Sequence, residues 1–114
     1  MSQSRIEVFE TMLRDQPDDP MIWYGLASEY SKLERWGDAA GALQNVVRLN
    51  PNYTAAYQML GSALMNEGNR SAARDAWTKG IEVATATGAW KARQHMEGLL
   101  AETETKSGSE FCDQ

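Results

Sequence analysis

The chain has 114 residues, of which 42% are hydrophobic, and this length fits one domain with a modest core. Its formal charge is −5, so it lacks in bulk the basic footprint by which nucleic-acid-binding proteins displace phosphate counterions. No apolar run approaches the roughly 20 residues that span a bilayer, so we expect neither nucleic acid nor a membrane as a partner.

The first predicted elements are a leading helix over residues 3–16 and a unit of two helices over residues 20–51. The leading helix mixes charged and apolar residues and lacks the apolar centre of a secretory signal. Asp19 followed by Pro20 is typical of a helix start, and Pro51 ends the unit. Apolar or small residues recur at helical spacing in the two helices: Trp23, Leu26, Ala27, Tyr30 and Leu33, then Ala39, Ala42, Leu43, Val46 and Val47.

A second unit of two helices spans residues 54–86, with Asn69 as the expected N-cap of its second helix. Its apolar and small positions are Tyr57, Leu60, Gly61 and Leu64, then Ala73, Ala76, Trp77, Gly80 and Ile81. A closing helix follows over residues 88–104. The polar composition of residues 105–114 predicts a disordered tail. The tail holds Cys112, the single cysteine, so no internal disulfide is possible and a reducing, cytoplasmic location is the simplest interpretation.

Self-similarity at one fixed offset, the separation of Pro17 from Pro51, connects the two units. Identical pairs at this offset also include Leu26 and Leu60, Ser28 and Ser62, Ala39 and Ala73, and Ala42 and Ala76. Trp23 with Tyr57 and Ala27 with Gly61 are conservative matches in the same register. The sequence therefore predicts one all-α domain over residues 1–104, an array of helical hairpins with about five helices.

This pattern resembles the tetratricopeptide repeat over about residues 2–86. The first unit carries the family's large, small and aromatic positions at Trp23, Leu26, Ala27, Tyr30, Trp36, Ala39, Leu43, Val46 and Pro51. The second carries them at Tyr57, Leu60, Gly61, Leu64, Gly68, Ala73, Trp77 and Gly80. The departures are Glu34 where the family has glycine, Arg70 where it has an aromatic residue, and Thr85 where it has proline. The resemblance implies a right-handed superhelix that binds a protein partner and is not an enzyme.

The resemblance also implies that the first helix of each unit lines a concave groove. The expected lining is Met21, Tyr24, Ser28, Ser31 and Lys32, then Gln58, Met59, Ser62, Met65 and Asn66, with Arg93 and Met96 from the closing helix. The candidate binding residues among them are Met21, Tyr24, Ser28, Gln58, Ser62, Met65, Asn66 and Arg93. Their mixed polar and flexible apolar character suits an extended peptide or a helix. Met21, Tyr24 and Met65 are equally consistent with partly exposed packing residues.

One subclass of the family holds a peptide's C-terminal carboxylate with lysine and asparagine side chains of the groove. Here Tyr24, Ser28 and Met59 occupy three of those positions, and Arg93 is the one comparable cation. We therefore do not expect this chain to bind the carboxylate tail of a chaperone.

Three other functions compete with groove binding. Self-association as a homodimer could use the end faces, where the leading helix offers Val8, Phe9, Met12 and Leu13. RNA binding by helical hairpins is disfavoured by the acidic charge. Catalysis is disfavoured because His95, the only histidine, has no nucleophile in a recognised motif. We expect no cofactor and no metal site, since one histidine and one distant cysteine are too few ligands for zinc.

Overall fold

The structure, a computed structural model, describes the backbone of residues 2–112 and the side chains of residues 4–103. Within that range the chain forms six α-helices and no strand, which confirms the all-α class. The helices are α1 Ser2–Asp15, α2 Pro20–Lys32, α3 Trp36–Leu49, α4 Thr54–Asn66, α5 Arg70–Thr87 and α6 Trp90–Cys112. The expected count of about five helices is one too low. The two hairpins supply four helices, and the leading helix and the closing helix add one each.

The closing helix is longer than the sequence predicts. It starts at Trp90 and continues to Cys112, into the segment for which we expect a disordered tail; residues 113–114 lie outside the described range. Extending a formed helix costs far less than nucleating one, and Ala101, Glu102 and Lys106 favour helical geometry. Despite its 23 residues, neither α6 nor any other helix of the described chain has the length and apolarity needed to cross a membrane.

The ends of the repeat helices follow the local rules read from the sequence. The Asp19 carboxylate accepts a hydrogen bond of 2.9 Å from the Met21 amide, and Pro20 stands in the first turn of α2. The Asn69 side chain accepts one of 3.2 Å from the Ala72 amide at the start of α5. Gly88 follows α5 in the left-handed conformation, with a φ of 78°. The predicted caps at Asp19 and Asn69 are confirmed.

A hydrogen bond recurs in both units in the same register. The Trp23 indole donates to the Pro17 carbonyl at 2.9 Å, and the Tyr57 hydroxyl donates to the Pro51 carbonyl at 2.9 Å. Each bond ties the first helix of a unit to the loop that precedes it. The two units therefore share polar contacts as well as a hydrophobic pattern.

The helices stack in chain order, each against its neighbours, and α4 also contacts α6. The first helix of the second unit and the closing helix therefore lie next to each other. The largest fully buried side chains are Ile6, Leu43, Met96 and Val46, so the core runs from the leading helix to the closing one. The radius of gyration is 15.2 Å, larger than the value of about 13 Å expected for a compact domain of this length. The molecule extends over 52 × 30 × 19 Å. The molecule is therefore an elongated stack.

An ion cluster and one apolar residue attach α1 to the first repeat. Ile6 is 1% exposed against α2, and the nearly buried Glu29 of α2 lies 3.9 Å from the Arg5 guanidinium and 3.1 Å from the Lys32 ammonium. A buried carboxylate needs such partners, because its unpaired charge would be costly away from water. The leading helix is thus held to the array by specific contacts.

Candidate functional site

The groove face is the surface carried by α2, α4 and α6. It holds most of the binding residues that the sequence predicts, and it presents two features. One is a cluster of two tyrosines and a methionine at the start of α2. The other is a pocket between α4 and α6.

The aromatic cluster consists of Met21, Tyr24 and Tyr53. The rings of Tyr24 and Tyr53 stack with their centroids 5.1 Å apart and their planes at 19°. The Tyr53 hydroxyl donates to the Met21 sulfur at 3.2 Å, and Met21 is itself 63% exposed. Burial raises the pKa of Tyr24, and the adjacent Tyr53 raises it further, so the Tyr24 hydroxyl stays protonated at neutral pH. The cluster is therefore an uncharged surface, with Ser28 one helical turn beyond Tyr24.

The pocket between α4 and α6 has a volume of about 200 Å³. Three predicted binding residues of α4 line it, together with one residue of α5 and three of α6: Ser62, Met65, Asn66, Trp77, Leu99, Glu102 and Thr103. Met65, Trp77 and Leu99 supply its apolar wall. An apolar wall with a few polar groups is a composition typical of ligand pockets.

Internal hydrogen bonds hold three of the lining side chains. The Trp77 indole donates to the backbone carbonyl of Gln58, a predicted residue that is half-buried, at 3.3 Å. The Asn66 amide donates to the Ser62 carbonyl at 3.0 Å. The Thr103 hydroxyl donates to the Leu99 carbonyl at 2.9 Å. These bonds fix the Trp77 indole and the side chains of Asn66 and Thr103, which therefore lose little freedom when a ligand enters.

The charge of the pocket comes from one side chain. Among the described residues that line it, Glu102 is the only ionisable one, and it is exposed at the margin. No group of three or more histidine, cysteine, aspartate or glutamate residues in the described range could hold a metal ion. The arrangement can therefore receive an apolar or cationic group, and the described lining has no basic residue to receive an anion.

The residues predicted from α6 do not line this pocket. Arg93 pairs with Glu97 at 3.1 Å and lies 5.7 Å from the centre of the Trp90 ring. Glu102 follows Arg93 by nine positions, about two and a half helical turns, so the two residues lie on opposite sides of α6. Met96 is fully buried, and its sulfur packs on Gly80. The expectation that Met96 lines the groove is therefore wrong, and Arg93 points away from the pocket.

Two further α2 residues expected in the groove are engaged locally. The Ser31 hydroxyl donates to the Ala27 carbonyl at 3.0 Å, and Lys32 pairs with Glu29. Sequence reasoning missed Tyr53, Leu99 and Glu102. Tyr53 precedes α4 and has Asp19 as its counterpart in the first unit, so no repeat signal marks it. Leu99 and Glu102 lie on the closing helix, outside the repeat register, so no repeat signal marks them either.

The chain is similar to known proteins, among them proteins named for TPR repeats. It is 33% identical over 95 residues to a TPR repeat-containing protein of Pseudomonas aeruginosa, covering 83% of this chain and 90% of that protein. A solved protein from Bordetella parapertussis superposes with a TM-score of 0.81 and 25% identity, covering 93% of this chain and 92% of the other. The TPR2B domain of yeast Sti1, solved in a complex named for pHsp70, has the same TM-score at 14% identity, covering 89% of this chain and 81% of that one. No protein-family model matches the chain.

Proposed function

This chain belongs to the tetratricopeptide repeat family, and we propose that it is a protein-interaction module that binds a peptide or helix of a partner protein on its groove face. The observation that carries this proposal is the pocket between α4 and α6, which brings the predicted residues Ser62, Met65 and Asn66 together with Leu99 and Glu102 of the closing helix. The uncharged cluster of Met21 and the two tyrosines would provide a second contact on the same face.

The family relationship supports a protein partner. The yeast domain of the same fold was solved in a complex named for pHsp70, and a further domain of this fold, at 23% identity, was solved with an HSP90 peptide. Both likenesses concern the fold, so the ligand of this chain has to come from its own residues. Those residues include Tyr24, Ser28 and Met59 where a carboxylate-binding subclass has lysine and asparagine, which favours a different ligand.

Affinity selection tests the proposal directly. A library of random 12-residue peptides is selected on the immobilised chain, and the affinity of the recovered peptides is measured by fluorescence polarisation. We expect Met65→Asp to weaken binding roughly tenfold or more, because it places a charge in the apolar wall where binding energy concentrates.

The matched control is Thr78→Asp. Thr78 is exposed on α5 outside the groove face, and the substitution adds the same charge. Circular dichroism and thermal unfolding verify that both variants keep the fold. Failure to recover any peptide, or equal affinity of both variants, would contradict groove binding.

Self-association is a second candidate that one observation favours. Val8 and Met12 of α1 are 58% and 42% exposed at the end of the stack, whereas Phe9 and Leu13 are half-buried. Exposed apolar residues at the end of a repeat array are a surface on which a second copy could pack. A molecular mass that rises with concentration in light scattering, and that falls to the monomer value in Val8→Glu, would favour this candidate over a monomeric peptide binder.

A further inference from the structure

We infer that the pocket between α4 and α6 receives the side chain of a lysine or arginine of the bound peptide. This inference rests on the proposed function, and it specifies which ligand chemistry the groove face selects. Three properties of the pocket carry it: its apolar wall, the sign of its charge and its size.

The apolar wall suits the stem of a long basic side chain. Met65 of α4, Leu99 of α6 and Trp77 of α5 all line the pocket. Lysine and arginine bury their methylene stems on such surfaces and keep the charged head in water. Met65 has three rotatable bonds, and so it can adjust its shape to either stem.

The charge of the pocket selects the head group. Glu102 is exposed at the margin, where the ammonium or guanidinium at the end of a buried stem would lie. None of the other described lining residues carries a charge, so nothing there repels a cation or attracts an anion. The formal charge of −5 on the whole chain acts in the same direction over longer distances.

The size of the pocket limits what it can take. A volume of about 200 Å³ accommodates one side chain and not a folded segment. A purely apolar side chain would fill the wall equally well, but it would gain nothing from Glu102. An acidic side chain would face a like charge, which opposes binding. The expected order of preference is therefore basic, then neutral apolar, then acidic.

Three peptide pools test this order on the full chain. Each pool holds fluorescein-labelled 12-residue peptides with blocked termini and random flanks, and the central residue is lysine, norleucine or glutamate. Norleucine keeps an unbranched apolar stem without the charge. We expect the lysine pool to be retained about three- to fivefold more than the norleucine pool on the immobilised chain, as suits a partly exposed ion pair. The glutamate pool should be retained least, and about 1 M salt should remove the lysine advantage.

Two charge reversals on α6 separate the pocket from the general acidity of the chain. Glu102→Lys should reverse the order, so that the glutamate pool is retained more than the lysine pool. Glu97→Lys makes the same change in net charge on α6 outside the pocket, and it should keep the wild-type order. A lysine preference that survives Glu102→Lys would overturn the inference, because it would come from net charge alone.

The remaining outcomes distinguish this inference from the function on which it rests. Equal retention of the lysine and norleucine pools, with both lost in Met65→Asp, would overturn the inference and leave peptide binding on the groove face standing. If the wild-type chain retains none of the pools above a blank surface, both the inference and the proposed function fail.

Discussion

At the scale of single residues, the two repeats solve one packing problem in two ways. The first unit has Ala27 and Leu43, and the second has Gly61 and Trp77 at the corresponding positions; Ala27 and Leu43 are fully buried and Trp77 is 2% exposed. The larger indole is accommodated because Gly61 has no side chain, and a Cβ there would overlap the Trp77 ring. Small and large residues are therefore matched within each unit.

We expect Gly61→Ala to lower the free energy of unfolding by about 1–3 kcal/mol, the usual cost of inserting a methyl group into a filled core. Urea unfolding followed by circular dichroism measures the change. Gly41→Ala is the matched control, because Gly41 is an exposed helical glycine of α3 with no atom within 4 Å of an added Cβ. That variant should gain about 0.5–1 kcal/mol.

A double-mutant cycle isolates the pairing from the general effect of the added methyl group. In a Trp77→Leu background, which reproduces the size pattern of the first unit, Gly61→Ala should cost much less than in the wild type. If the loss of stability in the double variant equals the sum of the losses in the two single variants, Gly61 and Trp77 are not energetically coupled.

At the scale of elements, the turns inside the two hairpins share a left-handed position that is occupied by different residues. Glu34 lies between α2 and α3 with a φ of 58°, and Gly68, its counterpart in the second unit, lies between α4 and α5 with a φ of 94°. Glycine adopts this left-handed geometry without strain, whereas a residue with a Cβ meets steric repulsion there. The departure from the family pattern at Glu34 therefore leaves the structure with a strained turn, since the turn geometry is retained.

We expect Glu34→Gly to stabilise the chain by about 1 kcal/mol, the relief of left-handed strain less the greater freedom of glycine in the unfolded chain. The reciprocal change, Gly68→Ala, should destabilise it by about 1 kcal/mol or more. Denaturation midpoints of the two variants and the wild type provide the test. A loss of stability in Glu34→Gly would mean that contacts of the glutamate side chain outweigh the strain of its backbone.

At the scale of the whole molecule, stability comes mainly from contacts between consecutive helices. Consecutive helices pack on each other, and within the described residues α1 makes extensive contact with α2 alone. In such an array the free energy of unfolding is close to a sum over the repeat units and their interfaces. The terminal helices can therefore unfold locally while the internal helices stay folded. The helices that carry the groove face therefore differ in how easily they unfold locally, because α4 is internal and α6 is terminal.

Native-state hydrogen exchange should show α1 opening at a lower free energy than α3, α4 and α5. Ile6→Ala, which removes a side chain that is 1% exposed, should cost about 2–5 kcal/mol of local stability in α1 and leave the protection of α5 nearly unchanged. Met96→Ala at the other end should instead reduce protection in α5 and α6. Equal losses along the chain in both variants would indicate a single cooperative unit.

Much of this architecture could be read from the sequence, because the signals are local. The repeat register that pairs Pro17 with Pro51, the cap positions and the spacing of small residues predict the hairpins. The helix starts at Asp19 and Asn69 followed from residue chemistry within a few positions. Three of the candidate residues, Ser62, Met65 and Asn66, could also be placed on one face of α4 from their spacing alone.

The pocket could not be read in the same way, because it depends on how α6 is rotated about its axis where it meets α4. The closing helix lies outside the repeat register, so the sequence offered no reason to prefer the side of Glu102 over that of Arg93. The packing of Met96 on Gly80 decides that rotation, and it turns Leu99 and Glu102 towards Met65. Periodicity along a chain is enough to define a helix and its buried stripe, whereas a site shared by two helices is decided by side-chain contacts between residues distant in sequence.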